Sequence, residues 1–407
     1  MLGTRCRSCS SSNLEVFLDL GQQPIANALL DQRQLNEAEP RFPLELTFCH
    51  DCALVQVTET IPADVLFGRD YPYFSSFSPA LLQHSREHIQ RILQERPLGP
   101  DSLVVEVASN DGYLLRNFVE AGVPVLGIDP AAGPVAAARE RGVPTMQAFF
   151  GAALARELAA KGQRADVMIA NNVAAHVDGI NDFMEGFAIL LKDDGMVRIE
   201  VAYLRDLIEK CEFDTVYHEH LFYWSISAMQ RLVARHGLQM NDAERLPIHG
   251  GSIRFTLSRQ PGRTARLDTL LAEETALGMG EFSYYTSFAA RVAELRDSLR
   301  EAVHEIRAAG RRLAAYGAAA KGATLLNYME FSPGVIEYVV DRNPAKVGKY
   351  LPGVKLPIRA VETLMQDRPD YVLVLAWNFA REIIGQNQDY TNLGGRFIVP
   401  VEERPSL

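Results

Sequence analysis

At 407 residues the chain exceeds what one ordinary hydrophobic core organises, so two or three domains are expected. Apolar residues at 47% and charged residues at 23% are ordinary globular values, and 41 Lys plus Arg against 51 Asp plus Glu give a net charge of −10 with no basic block to track a phosphate backbone, which argues against nucleic acid as a partner. No stretch approaches about 18 uninterrupted apolar residues, and the N-terminus lacks the apolar core of a signal peptide, so a soluble, cytoplasmic protein with no membrane partner is expected.

Five cysteines in so long a chain do not make a disulfide scaffold. Cys6 and Cys9 form one C-x-x-C pair, and Cys49 and Cys52 form another. Two residues between thiolates let a tight turn aim both sulfurs at one ion, and two such knuckles close a tetrahedral shell suited to zinc. Such a shell has no open position for water, so the expected role is folding. The 39 residues between the pairs exceed the usual ribbon spacing, and a stretch around Gly21-Gln22-Gln23-Pro24 is expected to loop out. His50 is a spare ligand that four thiolates make unnecessary, and Cys211 reads as a packed thiol. Residues 1–75 are taken as a zinc-binding N-terminal domain, followed closely by the end of a crowd of aromatic and hydroxyl residues from Asp70 to Ser76 that includes Tyr71, Tyr73, Ser75 and Ser76; Tyr73, Ser75 and Ser76, with His249 further on, are candidate substrate contacts.

Residues 76–260 read as an α/β doubly wound domain. Val104-Val105-Glu106-Val107 is a short apolar strand, Ala108-Ser109-Asn110-Asp111-Gly112 a polar turn, and the following residues carry apolar side chains at helical spacing. In such sheets ligands lie beyond the carboxyl ends of the strands. A second strand ends in Asp129, placed to accept hydrogen bonds from a ribose diol, and a further strand runs from Asp166 to Asn171 and Asn172 before reaching His176. A nicotinamide-dependent epimerase or dehydratase would share Asp129, but its dinucleotide pyrophosphate demands G-x-G-x-x-G. This loop offers one glycine and Glu106. A carboxylate-bearing loop suits S-adenosylmethionine, which carries a sulfonium and an ammonium and no phosphate, so Glu106, Ser109, Asn110, Asp111, Gly112, Asp129, Asn171 and Asn172 are its candidate contacts.

Tyr217-His218-Glu219-His220 places four titratable or hydrogen-bonding residues in a row before Phe222, Tyr223 and Trp224. It is not H-E-x-x-H, which excludes zinc-protease geometry. If the segment is extended, alternation leaves one of the two histidines facing a substrate. His249-Gly250-Gly251-Ser252 precedes another strand, and its glycines imply a close backbone approach or positive φ.

Residues 261–407 open with connecting helices over about 263–310. A second strand, small-residue loop and helix follow at Arg312–Thr324, here with a basic loop in which Lys321 and backbone N–H groups could hold a diphosphate. Asp341 ends a later strand, and Tyr371–Asn378 forms another. A second Rossmann-like domain implies a second, nucleotide-bearing ligand, with Tyr316, Lys321 and Asp341 as candidate contacts.

Together these residues resemble the sugar C-methyltransferase family, which places branch methyls on deoxysugars of antibiotics and surface glycans. The resemblance rests on the paired C-x-x-C, Tyr-Pro-Tyr-Phe-Ser-Ser at 71–76, Glu-Val-Ala-Ser-Asn-Asp-Gly at 106–112, Tyr-His-Glu-His at 217–220, His-Gly-Gly-Ser at 249–252 and Tyr-Gly-Ala-Ala-Ala-Lys-Gly at 316–322. Ala323 departs from the typical Gly-Asn-Thr run. The resemblance implies a structural zinc, a central class I methyltransferase domain binding S-adenosylmethionine, and a C-terminal domain holding a nucleotide-linked sugar, dTDP above GDP. It implies His220 as general base, with Tyr217, Glu219, His176 and Tyr71 around the sugar. The expected reaction is proton removal from C3 of a 4-keto-sugar by a neutral His220 oriented by Glu219, with Tyr217 or Tyr71 donating to the enolate oxygen. Methylation at oxygen remains an alternative, and a monomer or weak homo-oligomer is expected.

Overall fold

The computed structural model describes residues 5–61, 75–331 and 334–400. Its first sheet is antiparallel and begins with β1 (Leu14–Pro24), β2 (Arg41–Cys49) and β3 (Val55–Val57). The long β1–β2 hairpin absorbs the residues between the cysteine pairs, so the expected loop at 21–24 is strand instead. The ladder skips register between Asp19 and Gln22, and Gly21 sits in this bulge at φ 73°, where a glycine costs no strain.

The central sheet is built by β4 (Val104–Val107), β5 (Val125–Asp129), β6 (Thr145–Gln147), β7 (Ala165–Asn171) and β8 (Leu191–Ala202), all parallel. The chain then sends a two-residue strand, β9 (Phe222–Tyr223), back to β3 in the first sheet. It returns as β10 (Gln239–Leu246) and β11 (Ser252–Ser258), giving the order β10-β11-β8-β7-β4-β5-β6 with β11 antiparallel to both neighbours. The apolar residues of β4 are buried because helices cover the faces of a parallel sheet. The chain runs from β4 to one edge and back across to β7, so the crevice between the carboxyl ends of β4 and β7 is the switch point where such folds bind ligands.

Helices Ala265–Leu277 and Phe288–Ala308 supply the expected connection. The first buries Glu274, whose carboxylate accepts from Ile226 N, Ser227 N and the Tyr203 hydroxyl and so caps the positive end of helix Ile226–Arg235. The third sheet is parallel throughout: β12 (Leu313–Tyr316), β13 (Val339–Asp341), β14 (Ile358–Ala360), β15 (Tyr371–Val374) and β16 (Arg396–Ile398), in the order β14-β13-β12-β15-β16. Helix Ala320–Met329, which follows β12, leans on the central segment through Thr324 Oγ1, which donates to Val216 O at 3.2 Å. No described helix is long and apolar enough to cross a membrane.

Candidate active site and thiolate cage

The sulfurs of Cys6, Cys9, Cys49 and Cys52 all lie within 4.8 Å of one another. Cys6 and Cys52 are 3.5 Å apart, and Cys9 and Cys49 are 3.6 Å apart, far beyond a disulfide bond. A tetrahedral shell with zinc–sulfur bonds of about 2.3 Å separates its sulfurs by about 3.8 Å, so the four fit one zinc ion. The two knuckles are alike: Ser10 N bonds Cys6 O, Ala53 N bonds Cys49 O, and Ser10 and Ala53 both take positive φ. His50 stays outside the cage and bonds Glu15 at 2.9 Å.

At the switch point β4 runs into a strained loop in which Ala108, Asn110 and Gly112 take φ of 56°, 49° and 75°. A Cβ on Gly112 would lie 2.9 Å from the Val143 side chain. Asp129 braces the loop: one carboxylate oxygen accepts from Asn110 N at 2.9 Å and the other from Ala131 N at 2.8 Å. Asp111 pairs with Arg141 at 2.6 Å and accepts from the Ser76 hydroxyl, while Asn110 Oδ1 accepts from Ser75 N. Ser75 and Ser76, expected near the substrate, are thus set against this loop. Glu106 is buried, and burial together with Asp129 and Asp111 holds its carboxyl well above the usual range. Glu106 Oε2, Ser109 Oγ, Asp111 Oδ1 and both amide atoms of Asn171 are buried without a hydrogen-bond partner among the described residues. Buried polar groups of a fold are normally satisfied, so this cluster at the ends of β4 and β7 fits a polar, cationic ligand. Asp166 does not belong to it. It lies at the opposite end of β7, accepting from Leu103 N and Lys192 Nζ, both at 2.8 Å.

Residues 217–220 form a turn, closed by His220 N donating to Tyr217 O at 2.9 Å, and not the extended segment considered from the sequence. The turn stacks the Tyr217 and His220 rings with centroids 3.9 Å apart and sends the middle residues elsewhere: His218 to Pro43 O and Glu219 to Asn27 Nδ2 at 2.6 Å. One imidazole of the pair therefore remains in the cleft, joined by His176 at 4.8 Å between ring centroids. His220 Nδ1 lies 2.9 Å from Thr215 O. A carbonyl only accepts, so Nδ1 carries the proton and Nε2 presents its lone pair, to which Tyr217 Oη donates at 2.7 Å. Thr215, not Glu219, orients the imidazole, because the turn points the Glu219 side chain away; burial pushes that carboxyl up to about 7. His176 Nδ1 donates to Glu219 O at 2.7 Å, so Glu219 serves this cluster through its carbonyl. Tyr71 and Tyr73 lie outside the described residues.

Burial, the neighbouring His176 and Lys321 hold the His220 pKa well below the ordinary 6.5. A depressed pKa keeps the imidazole neutral as pH falls past 6.5, so the acid limb of kcat/KM should have its midpoint below that value. A pH–rate profile bending at 6.5 or higher would contradict this placement.

His249 (φ 59°), Gly250 (φ 96°) and Gly251 (φ 151°) form a left-handed loop over the same cleft. A Cβ on Gly250 would lie 2.8 Å from Glu212 and 2.9 Å from Trp377, and one on Gly251 would lie 2.4 Å from Asp206. Both reasons for glycine expected from the sequence apply. Gly251→Ala should cost about 1–3 kcal/mol of stability, read as a lower urea midpoint, and an unchanged midpoint would refute the close approach. Burial and Lys321 press the His249 pKa down to about 4.

The C-terminal loop is arranged differently from the expected diphosphate cradle. Ala318 N donates to Asp341 Oδ2 at 2.7 Å, and Lys346 Nζ donates to Ala318 O. Asp341 therefore occupies an amide that a phosphate would need. Tyr316 is buried in the apolar core under the sheet with Tyr338 and Ile383, so both residues are used inside the fold. Ala323 is buried too. Lys321 alone of the three candidates turns to the cleft, its Nζ 4.2 Å from the centre of the Trp377 ring. Trp377 Nε1 in turn donates to Asp214 Oδ2 at 2.7 Å.

Residues 6–67 match a family described as "Putative zinc binding domain", residues 81–243 one described as "Methyltransferase domain", and residues 247–402 one described as "C-methyltransferase C-terminal domain". The C-methyltransferase NovU of Streptomyces niveus is 36% identical over 401 residues, which cover 98% of this chain and 95% of that one. The chain belongs to the C-methyltransferase family. Similar solved structures include magnesium protoporphyrin IX methyltransferase of Synechocystis PCC 6803 with bound S-adenosylmethionine (TM-score 0.34, 14% identity, 44% of this chain and 79% of that one). Another is a protein of Pyrococcus horikoshii OT3 (TM-score 0.38, 15% identity, 48% and 98%).

For this C-methyltransferase the methyl donor is S-adenosylmethionine, matched by the unsatisfied polar atoms around Glu106 and Asn171, and the thiolate cage is a structural zinc site. Glu212, Asp214, Thr215, Trp377 and Asn27 were not singled out in the sequence. Glu212 and Asp214 stand just ahead of the 217–220 motif and Trp377 just past a strand end, positions where a doubly wound fold collects ligand groups. Thr215 acts through its carbonyl, which no residue type announces.

Proposed function

We propose that the chain transfers a methyl group to C3 of a dTDP-linked 4-keto-deoxysugar through an enolate, with His220 as the general base. The observation that supports this reading is the tautomer of His220: with Nδ1–H held by Thr215 O, the basic lone pair is at Nε2, on the cleft side lined by Tyr217 and His176. A C–H beside a ketone is acidified because the charge left on carbon delocalises onto oxygen, so a neutral imidazole suffices. Substrate displaces the Tyr217 hydroxyl and Nε2 takes the proton, while the C–H electron pair moves toward the ketone oxygen. When bound, S-adenosylmethionine supplies an electrophilic methyl and keeps the bonding pair on sulfur. The carbon gains its C–C bond, and His220 later releases the proton to water. Holding both partners at contact distance in one cleft removes much of the entropic barrier.

The reading assigns the nucleotide to a cavity of about 540 Å³ between β1, β2 and helix Ala320–Met329, lined by Gln23, Arg41, Arg296, Asn327 and Tyr328 among others. In its favour, Gln23 is buried with its Oε1 lacking a partner among the described residues. Asn327 also lies about 9 Å along the helix from Lys321, a span that fits a sugar in the cleft and its nucleotide in the cavity.

Incubation with methyl-labelled S-adenosylmethionine and a panel of dTDP- and GDP-linked keto-sugars tests this. Label should enter carbon of a dTDP-linked 4-keto-sugar. Label on oxygen, or on GDP-linked sugars alone, would overturn it.

A further inference from the structure

The mechanism needs a hydrogen-bond donor at the ketone oxygen, where negative charge develops. Tyr217 has one hydroxyl proton, which it gives to His220 Nε2 until substrate displaces it, and so can supply at most one such bond. Lys321 carries three N–H donors, and none of them is hydrogen-bonded or ion-paired within 4.0 Å to any described residue.

Its position follows from the helix. Thr324 bonds Val216 O, and Val216 is the residue immediately before Tyr217. Lys321 stands three residues before Thr324 in the same helix, hence on the same face and one turn nearer the N-terminus. The Trp377 ring holds its ammonium, and Trp377 is fixed in turn by Asp214, one residue before the Thr215 carbonyl that orients His220. The Gly250 backbone packs against Glu212 and Trp377 and closes the other side. Lys321 is enclosed by these elements yet keeps some contact with solvent, as do Tyr217, His220, His176 and His249. A cation lining the cleft wall, unbonded and desolvated on most sides, acts strongly on any charge that forms beside it. Burial lowers its pKa, and the carboxylates of Asp214 and Glu212 oppose that fall and favour the ammonium.

From this geometry we infer that Lys321 is a catalytic residue, the donor that stabilises the enolate oxygen while His220 removes the proton. Nothing is transferred from Lys321: its N–H shortens toward the oxygen as charge arrives and relaxes when the C–C bond forms. This rests on the enolate reading above. The other anion available in such a substrate is its diphosphate, and the two are separable.

The test is exchange of the substrate C3 hydrogen with deuterium oxide, followed by NMR with S-adenosylhomocysteine in place of the methyl donor, for wild type, Lys321→Ala and Lys321→Arg. Steady-state constants and inhibition by dTDP are measured in parallel. Lys321→Ala should lower kcat and the exchange rate together by about 10²–10³. KM and dTDP inhibition should stay within about twofold, ethylamine should restore part of the exchange, and Lys321→Arg should retain more than Lys321→Ala. Exchange at the wild-type rate in folded Lys321→Ala, or a loss confined to KM and dTDP affinity, would overturn the inference, the latter assigning Lys321 to the diphosphate. If Lys321→Ala does not fold, Lys321→Met, of similar length but without a charge or N–H donors, carries the same comparison, and exchange at the wild-type rate in it overturns the inference equally. Wild type failing to exchange would sink the enolate reading itself, and this role with it.

Discussion

His220→Ala should lower turnover by about 10²–10⁴ while leaving the affinity for S-adenosylmethionine nearly unchanged, read by single-turnover methyl transfer and by calorimetric titration of the cofactor. The magnitude is that of removing a positioned base from a step whose other contributions, substrate positioning and donor hydrogen bonds, remain. The selectivity follows from separate elements: the cofactor loop is braced by hydrogen bonds and an ion pair with Asp129, Arg141, Ser75 and Ser76, while the 217–220 turn is held by Thr215, Pro43 and Asn27. His220→Gln makes a sharper control, because an amide can keep one hydrogen bond to Thr215 O but has no basic lone pair of comparable strength. It should be as slow as the alanine variant. A loss of cofactor affinity matching the loss of rate would instead put His220 in the cofactor site.

The physical reason that so much was legible in the sequence differs from part to part. The thiolate pairs declare themselves because two-residue spacing is a geometric requirement of one ion. The cofactor loop was legible because strand, polar turn and acid-tipped second strand are all local patterns. The 217–220 turn was legible as residue types but not as geometry. Whether Tyr217 and His220 face each other depends on a single turn hydrogen bond, and who orients the imidazole depends on a backbone carbonyl. The C-terminal loop shows the same limit. A basic loop after a strand matches a phosphate cradle, yet Asp341 reaches across from the next strand to take the Ala318 amide, a pairing 23 residues apart.

Replacing Cys49 by serine, or stripping zinc with a chelator, should abolish methyl transfer although no step of the chemistry touches the metal. A structural zinc of this type contributes on the order of 10–16 kcal/mol of apparent binding free energy, most of it expressed as folding of the segment that binds it. Here that segment also supports the 217–220 turn. β3 pairs with β9 just after this turn, Pro43 O holds His218, and Asn27 holds the Glu219 carboxylate. Losing the lobe would leave Glu219 and His218 without their partners and release the turn that stacks Tyr217 on His220. Cofactor affinity should survive better than turnover, since Glu106, Asp111 and Asp129 have no bond to residues 5–61. Circular dichroism should show partial unfolding in proportion to zinc lost, and cadmium, which takes the same four thiolates, should restore structure and rate together. A zinc-depleted protein that keeps its fold but loses its rate would mean that the metal acts in the reaction, and a closed shell of four thiolates gives it no open position from which to do so.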